Sequence, residues 1–311
     1  MGGSRIRAKR LLVTGRHGFV GGVLARTIAT DPALAEWQLI ETQETWDLRD
    51  PVATSAIVEA AAPDAVVHLA AQSFVPDAFR DPETTLNVNV QGTLHLLQAL
   101  KGAGFRGRMV YVGTGDVYGL VHEDELPVAE TRLPAPRNPY AVSKLAAEAL
   151  CWQWTVTEGI DIVLARPFNH IGAGQSDRFV ASDFARQVAD IRLGRRKPVV
   201  AVGDIDVTRD FTDVGDVVQA YFALLRSGVT GQIYNVCSGR DHSIRSLIER
   251  LAGLAAVSIS IEQEPARMRK AEQRRMRGEP GKIRRATGWR AATPLDDSLA
   301  AMLRYWESGE H

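Results

Sequence analysis

The sequence lacks any apolar run approaching the roughly 18 residues that a membrane-spanning helix requires. Cysteine is nearly absent as well. Cys151 and Cys237 stand far apart in sequence and match neither a redox pair nor a metal-ligand spacing, which favours free thiols over a disulfide. The expectation is two buried thiols in a reducing compartment. Charge of one sign is missing too. The 37 basic residues balance 37 acidic ones, which leaves no overall field to draw the chain to nucleic acid or to a membrane surface. Residues 1–10 are basic but lack the apolar stretch of a signal peptide, so the expected location is the cytoplasm. Internal repeats, coiled-coil heptads and low-complexity tracts are also missing.

What remains is a composition ordinary for a folded protein, 45% hydrophobic and 24% charged over 311 residues. In the first half, short apolar runs alternate with longer amphipathic segments. The runs are 11–13, 37–40, 65–69, 109–112 and 160–165, and helical patterns fill 52–61, 84–100 and 140–157. Strands separated by helices predict a parallel sheet covered on both faces, a doubly wound α/β fold of the Rossmann kind. After Arg166-Pro167 the alternation weakens. Segment 208–225 reads as a loop and a helix returning to that sheet, followed by a strand at 232–236. The expected division is a dinucleotide-binding domain over 1–170 plus about 205–236, with a smaller lobe from about 171–204 and 237–311.

Thr14-Gly15-Arg16-His17-Gly18-Phe19-Val20-Gly21 follows the first strand and opens the first helix. Glycines at 15, 18 and 21 permit a tight turn, backbone approach to a pyrophosphate and close helix–strand packing. Free N–H groups at the helix start add a partial positive charge for phosphates. The cofactor contacts expected here are Gly15, His17, Gly18, Phe19 and Val20. Glu41, at the end of the second strand, suits ribose hydroxyls, whereas Arg16 suits a 2′-phosphate. Both also fit as solvated surface charges, so the choice between NADH and NADPH stays open.

Further segments resemble the extended short-chain dehydrogenase/reductase family in order along nearly the whole chain: Asp47-Leu48-Arg49, His68-Leu69-Ala70-Ala71-Gln72-Ser73, Asn89-Val90-Gln91-Gly92, Val112-Gly113-Thr114-Gly115-Asp116-Val117-Tyr118-Gly119, Tyr140-Ala141-Val142-Ser143-Lys144 and Arg166-Pro167-Phe168-Asn169. The resemblance implies a nicotinamide cofactor held additionally by Asp47, Leu48, Leu69, Ala70, Ala71, Asn89, Tyr140 and Lys144, and a catalytic set of Thr114, Asp116, Tyr140 and Lys144. Tyr140 and Lys144, four residues apart, share one helical face. The Lys144 ammonium is expected to favour the Tyr140 phenolate and lower its pKa, so that Tyr140 exchanges a proton with a carbonyl oxygen while Thr114 orients that oxygen.

The segments at 71–75 and 166–172 resemble the branch containing the GDP-mannose 4,6-dehydratases. Dehydratases of the branch carry Glu two residues after the Thr. Here the position holds the shorter Asp116, next to the side-chain-free Gly115. This pattern implies a reductase acting at C4 of GDP-4-keto-6-deoxy-D-mannose to give GDP-D-rhamnose. The GDP-sugar contacts implied are Gln72, Ser73, Asn169, Arg178, Arg209, Arg269 and Glu272, and the helices over 84–100 and 140–157 are the implied face of a homodimer. A dehydratase or C4 epimerase of the same fold, and a non-catalytic dinucleotide-binding module, are the competing readings.

Overall fold

The computed structural model describes residues 7–42, 46–264 and 273–309. The chain begins with β1 (Lys9–Thr14), α1 (Phe19–Thr30), β2 (Trp37–Leu39), α2 (Pro51–Ala61) and β3 (Ala65–His68). Next come α3 (Val75–Arg80), α4 (Pro82–Leu86), α5 (Gly92–Gly102), β4 (Arg108–Val112), α6 (Pro139–Glu158) and β5 (Asp161–Pro167). Helix starts carry recognisable signals. Asp50 caps α2 through the N–H groups of Val52 and Ala53, with Pro51 in the first position. Asn138 caps α6 through Ala141, ahead of Pro139, and Gly159 ends that helix in the left-handed region at φ 70°.

The remainder supplies β6 (Asn169–Ile171), α7 (Val180–Arg192), β7 (Val199–Val202), β8 (Thr208–Asp213), α8 (Val214–Ser227) and β9 (Ile233–Val236). It closes with β10 (Asp241–Ser243), α9 (Ile244–Ala255), β11 (Ser260–Gln263), α10 (Gly281–Thr287) and α11 (Leu295–Ser308). Six strands form an all-parallel sheet in the order β2-β1-β3-β4-β5-β9. The strand direction of travel reverses between β1 and β3, whose C-terminal ends therefore flank a ligand crevice. Two small sheets, β10-β8-β6 and β11-β7, lie outside it.

Alternation along the central strands divides the core. Leu11, Val13, Val67, Val110 and Val163 pack with Leu24 of α1 and with Val217, Val218 and Phe222 of α8. Leu12, Val66, Met109 and Ile162 pack on the other face with Val58, Leu96, Leu97 and Ala147. A separate cluster joins Phe184 and Val188 of α7, Val200, Phe211, Leu247 and Leu251 with Leu299 and Leu303 of α11.

The helix expected over 84–100 is interrupted. Between α4 and α5, Asn87–Gln91 forms wider π-type turns. The extra residue turns Asn89 inward, and Gly92 then packs at 3.1 Å (from where a Cβ would stand) against Leu48. Among the described residues no helix is long and apolar enough to cross a membrane.

Candidate active site

The loop after β1 turns at Gly15, whose φ of 71° and close approach to Ala70 (2.8 Å from a would-be Cβ to the Ala70 nitrogen) exclude a side chain. A Cβ at Gly21 would lie 2.4 Å from the Arg16 carbonyl oxygen, so that glycine serves helix–loop packing. Gly18 differs: a Cβ there would meet only the Gly15 oxygen at 3.3 Å and would otherwise project into the crevice. Gly18 caps α1 with no side chain, leaving first-turn N–H groups at Phe19 and Val20 unspent. These features fit a dinucleotide diphosphate. His17 is exposed beside the Thr42 carbonyl, and Phe19 stacks on His170 with ring centroids 6.3 Å apart. Arg16 and Glu41, weighed above as alternative ribose contacts, form an ion pair with each other. Asp47 is likewise engaged, by Arg49 side chain and backbone. Leu48 is a buried core residue.

Behind the crevice runs a one-directional chain of hydrogen bonds. The Ala70 N–H donates to Thr14 Oγ1 at 3.2 Å, and Thr14 Oγ1 lies 2.6 Å from His68 Nδ1. His68 Nε2 lies 2.9 Å from Thr93 Oγ1, which donates to the Asn89 carbonyl at 2.6 Å. Because Thr14 accepts from Ala70 and Thr93 donates onward, the chain is satisfied by a neutral His68 protonated on Nε2. Asn89 holds its neighbours on both sides. Its Oδ1 accepts from the Gln72 N–H at 2.8 Å, and its Nδ2 donates to the Gln72 carbonyl at 3.0 Å and to Ser143 Oγ at 2.8 Å. The amide expected to face the cofactor is thus spent on protein partners, because the π-type turn aims it there. Leu69 and Ala70 line the same loop, with the Leu69 N–H on the Thr14 carbonyl; Ala71 follows them, half-buried.

Thr114, two residues past β4, and Asp116 both lie close enough to Tyr140 to act on its phenol. Burial raises the Tyr140 phenol above its ordinary pKa, Asp116 pushes it further up, and the Thr114 hydroxyl beside it pulls it back. Lys144 is not among the groups acting on it here. Its Nζ stands over the Tyr111 ring, 4.9 Å from the centroid, and burial lowers its pKa to about 8. Loss of hydration is the largest influence on the Tyr140 phenol, and it raises the pKa. Asp116 opens onto the crevice from a deep position; the surrounding protein raises its carboxyl, and Arg209 opposes this.

Arg209 on β8 is itself half-buried and bonded through Nη1 to the Thr208 carbonyl at 2.7 Å; burial lowers its pKa, with Asp116 and Asp204 opposing. Asn169 starts β6 with its backbone paired to Phe211, on the exposed rim, as is Ser73. Gln72 directs Nε2 to the Phe74 carbonyl and leaves Oε1 buried without a hydrogen bond. Arg178 pairs its guanidinium with Asp77 and covers the Phe74 ring, 3.8 Å from the centroid, tying the segment before α7 to α3 beside Ser73. Arg269 and Glu272 lie outside the described residues. Gly115 faces the Phe168 ring, 3.0 Å from a would-be Cβ.

Sequence reasoning passed over the buried pair Glu148–Arg166 and over Arg274, which pairs with Asp204 near Arg209. The signal for the pair was present, since Glu148 falls one turn after Lys144 and Arg166 heads an already noted motif. Among the described residues no three His, Cys, Asp or Glu are grouped to hold a metal ion.

A family model described as GDP-mannose 4,6 dehydratase matches residues 12–302. The chain belongs to the GDP-mannose 4,6-dehydratase family. Among relatives, GDP-6-deoxy-D-mannose reductase of Pseudomonas aeruginosa is 52% identical over 300 residues, covering 96% of this chain and 98% of the relative. The solved structure of RMD from Pseudomonas aeruginosa complexed with NADPH superposes with a TM-score of 0.92 at 50% identity, covering 97% of this chain and 99% of that one. UDP-glucose 4-epimerase of Thermus thermophilus, solved with NAD, gives a TM-score of 0.84 at 28% identity and covers 96% and 99% of the two chains. Membership of the GDP-mannose 4,6-dehydratase family bears out the resemblance read from the motifs, and the parallel sheet bears out the expected fold.

Proposed function

We propose that this chain reduces the C4 keto group of GDP-4-keto-6-deoxy-D-mannose, giving GDP-D-rhamnose, with NADPH or NADH as reductant. The observation that carries this reading is the 52% identity, over almost all of both chains, to a GDP-6-deoxy-D-mannose reductase. The dinucleotide, when bound, supplies a hydride. Gly15, His17, Gly18, Phe19 and Val20 are assigned to its diphosphate side. Asp47, Leu48, Leu69, Ala70 and Ala71 are assigned to its nucleoside side, and Tyr140 and Lys144 to its reactive end. NADPH in the Pseudomonas aeruginosa structure favours the phosphorylated form.

Tyr140 is suited to give a proton. A phenol kept protonated by burial and by Asp116 donates to the C4 oxygen as the carbon is reduced, and regains its proton from solvent. Thr114 adds a second donor to that oxygen. Arg209 offers a fork for the diphosphate, with Asn169, Gln72 and Ser73 toward the sugar. The direction of Gly115 is filled by Phe168, and position 115 itself offers no proton-shuttling side chain beside Asp116.

The experiment is an assay on two substrates. The 4-keto-6-deoxy sugar should oxidise NAD(P)H stoichiometrically, seen at the reduced-nicotinamide absorbance, while GDP-mannose alone should yield no keto product. Conversion of GDP-mannose without reductant, lost in Asp116→Ala, would assign dehydration instead.

Three coarser assignments accompany this one. Residues 1–170 with α8, β9 and the α10 segment (281–289) form the dinucleotide side, and 171–213 with 237–280 and 290–311 the sugar side. This moves β8 from where the pattern put it, because Phe211 packs in the second cluster. Exposed Leu86, Val142, Trp152 and Val156 on α4 and α6 support a homodimer through those helices, to be read by sedimentation equilibrium. Two buried, unbridged cysteines suit the cytoplasm.

A further inference from the structure

Glu148 lies one helical turn beyond Lys144 on α6, and its carboxylate accepts two hydrogen bonds from Arg166 of β5, 2.9 Å from Nε and 2.6 Å from Nη2. Both side chains are buried. Such a pair returns little or no net stability over apolar residues of the same size, so folding alone does not explain its presence. Its surroundings do. Glu148 Oε2 would stand 3.4 Å from a Cβ on Gly113, the residue before Thr114. Arg166 is fixed in turn by the Tyr118 ring, 4.8 Å from its guanidinium, and Tyr118 donates to Asn235 Oδ1 at 2.6 Å.

Lys144 is 3% exposed. From β3, His68 faces it, neutral above about pH 3. From β4 comes Tyr111, and from α6 itself come Tyr140 and Cys151; burial raises the pKa of all three, so none carries charge at neutral pH. Arg166 stands beyond Glu148 on β5. Among the described residues facing Lys144, Glu148 alone is an anion.

We propose that Glu148, clamped by Arg166, is the positioning residue that keeps Lys144 protonated, a buried counter-charge acting from one turn behind the ammonium. Its oxygens are taken up by Arg166, so the ammonium hydrogens stay available to a ligand at the crevice. The inference rests on the proposed function only in giving Lys144 a place at the reactive end of the cofactor.

The test reads Lys144 directly, in the full chain without cofactor or sugar, by NMR of ¹³Cε-labelled lysine, with the resonance assigned by its loss in Lys144→Arg. Wild type should titrate near 8. Glu148→Gln, which leaves Arg166 as an unopposed neighbour, should lower that midpoint by about one pH unit or more. Glu148→Gln combined with Arg166→Met removes both charges, restores packing, and should give a smaller drop that still lies below wild type. The alkaline limb of kcat/KM should move the same way in both. A wild-type Lys144 midpoint in the folded double variant would overturn the proposal and leave the pair a packing element. If Glu148→Gln does not fold, the double variant decides alone. Because the titration needs neither substrate nor dinucleotide, failure of the reductase assignment would leave it untouched.

Discussion

Asn89 Nδ2 donates to Ser143 Oγ at 2.8 Å, joining the π-type turn before α5 to the helix that carries Tyr140 and Lys144. Ser143 Oγ donates in turn to the Tyr140 carbonyl at 2.7 Å, so the turn braces the first coil of α6. Asn89→Ala strands the buried N–H and carbonyl of Gln72. It should cost about 1–3 kcal/mol in urea unfolding, and lower kcat more than it weakens dinucleotide binding. Unchanged stability would show that the Gln72 groups find other partners.

Tyr140→Phe keeps the ring and removes the proton. Reduction should slow by roughly 10²–10⁴-fold in kcat with nearly unchanged dinucleotide affinity. Turnover at the wild-type rate would remove Tyr140 from the proton transfer.

Gly18→Val places a side chain in the crevice rather than in the fold, since a Cβ there meets only the Gly15 oxygen at 3.3 Å. The variant should fold and lose NADPH binding in calorimetry. Gly21→Val, with its Cβ 2.4 Å from backbone, should instead lose stability. Wild-type affinity in folded Gly18→Val would reduce the loop to a structural turn.

His68 predicts an acid-sensitive fold. Burial first, and Lys144 second, lower its pKa to about 3. An unfolded histidine titrates near 6.5, so between the two values the unfolded chain takes up a proton that the folded chain refuses. Acid therefore favours unfolding: this contribution is complete above about pH 6.5 and falls away toward pH 3, with a slope of up to about 1.4 kcal/mol per pH unit. His68→Gln should start less stable and lose less between about pH 6 and 4 in urea titrations. Equal slopes for both proteins would place the acid sensitivity elsewhere.

The glycine loop, the central strands and the Tyr140/Lys144 pair were legible because each follows from local spacing. Apolar runs fully buried on both faces stand out, as at Val66 and Val67, and a glycine between strand and helix has few other uses. The turn at Asn87–Gln91 was not legible, since one extra residue leaves the apolar spacing of Leu86, Val90 and Leu97 looking helical. Strand β10, Asp241-His242-Ser243, carries no apolar residue and exists because β8 pairs with it. The roles of Asn89 and Arg178 depend on partners distant in sequence, Ser143 and Asp77. The same is true of Glu148 and Arg166, which meet only when β5 lies beside α6.

Phe168 lies between two residues that have no side chain. A Cβ on Gly115 would come within 3.0 Å of its ring on one side, and a Cβ on Gly278 within 2.8 Å on the other. Position 115 is therefore not free to drift. A side chain there needs the Phe168 ring to give by a few tenths of an ångström, and trimming that 6% exposed ring instead would open a cavity costing about 3–5 kcal/mol. A second proton shuttle at 115 thus comes coupled to movement of the ring packed against that position.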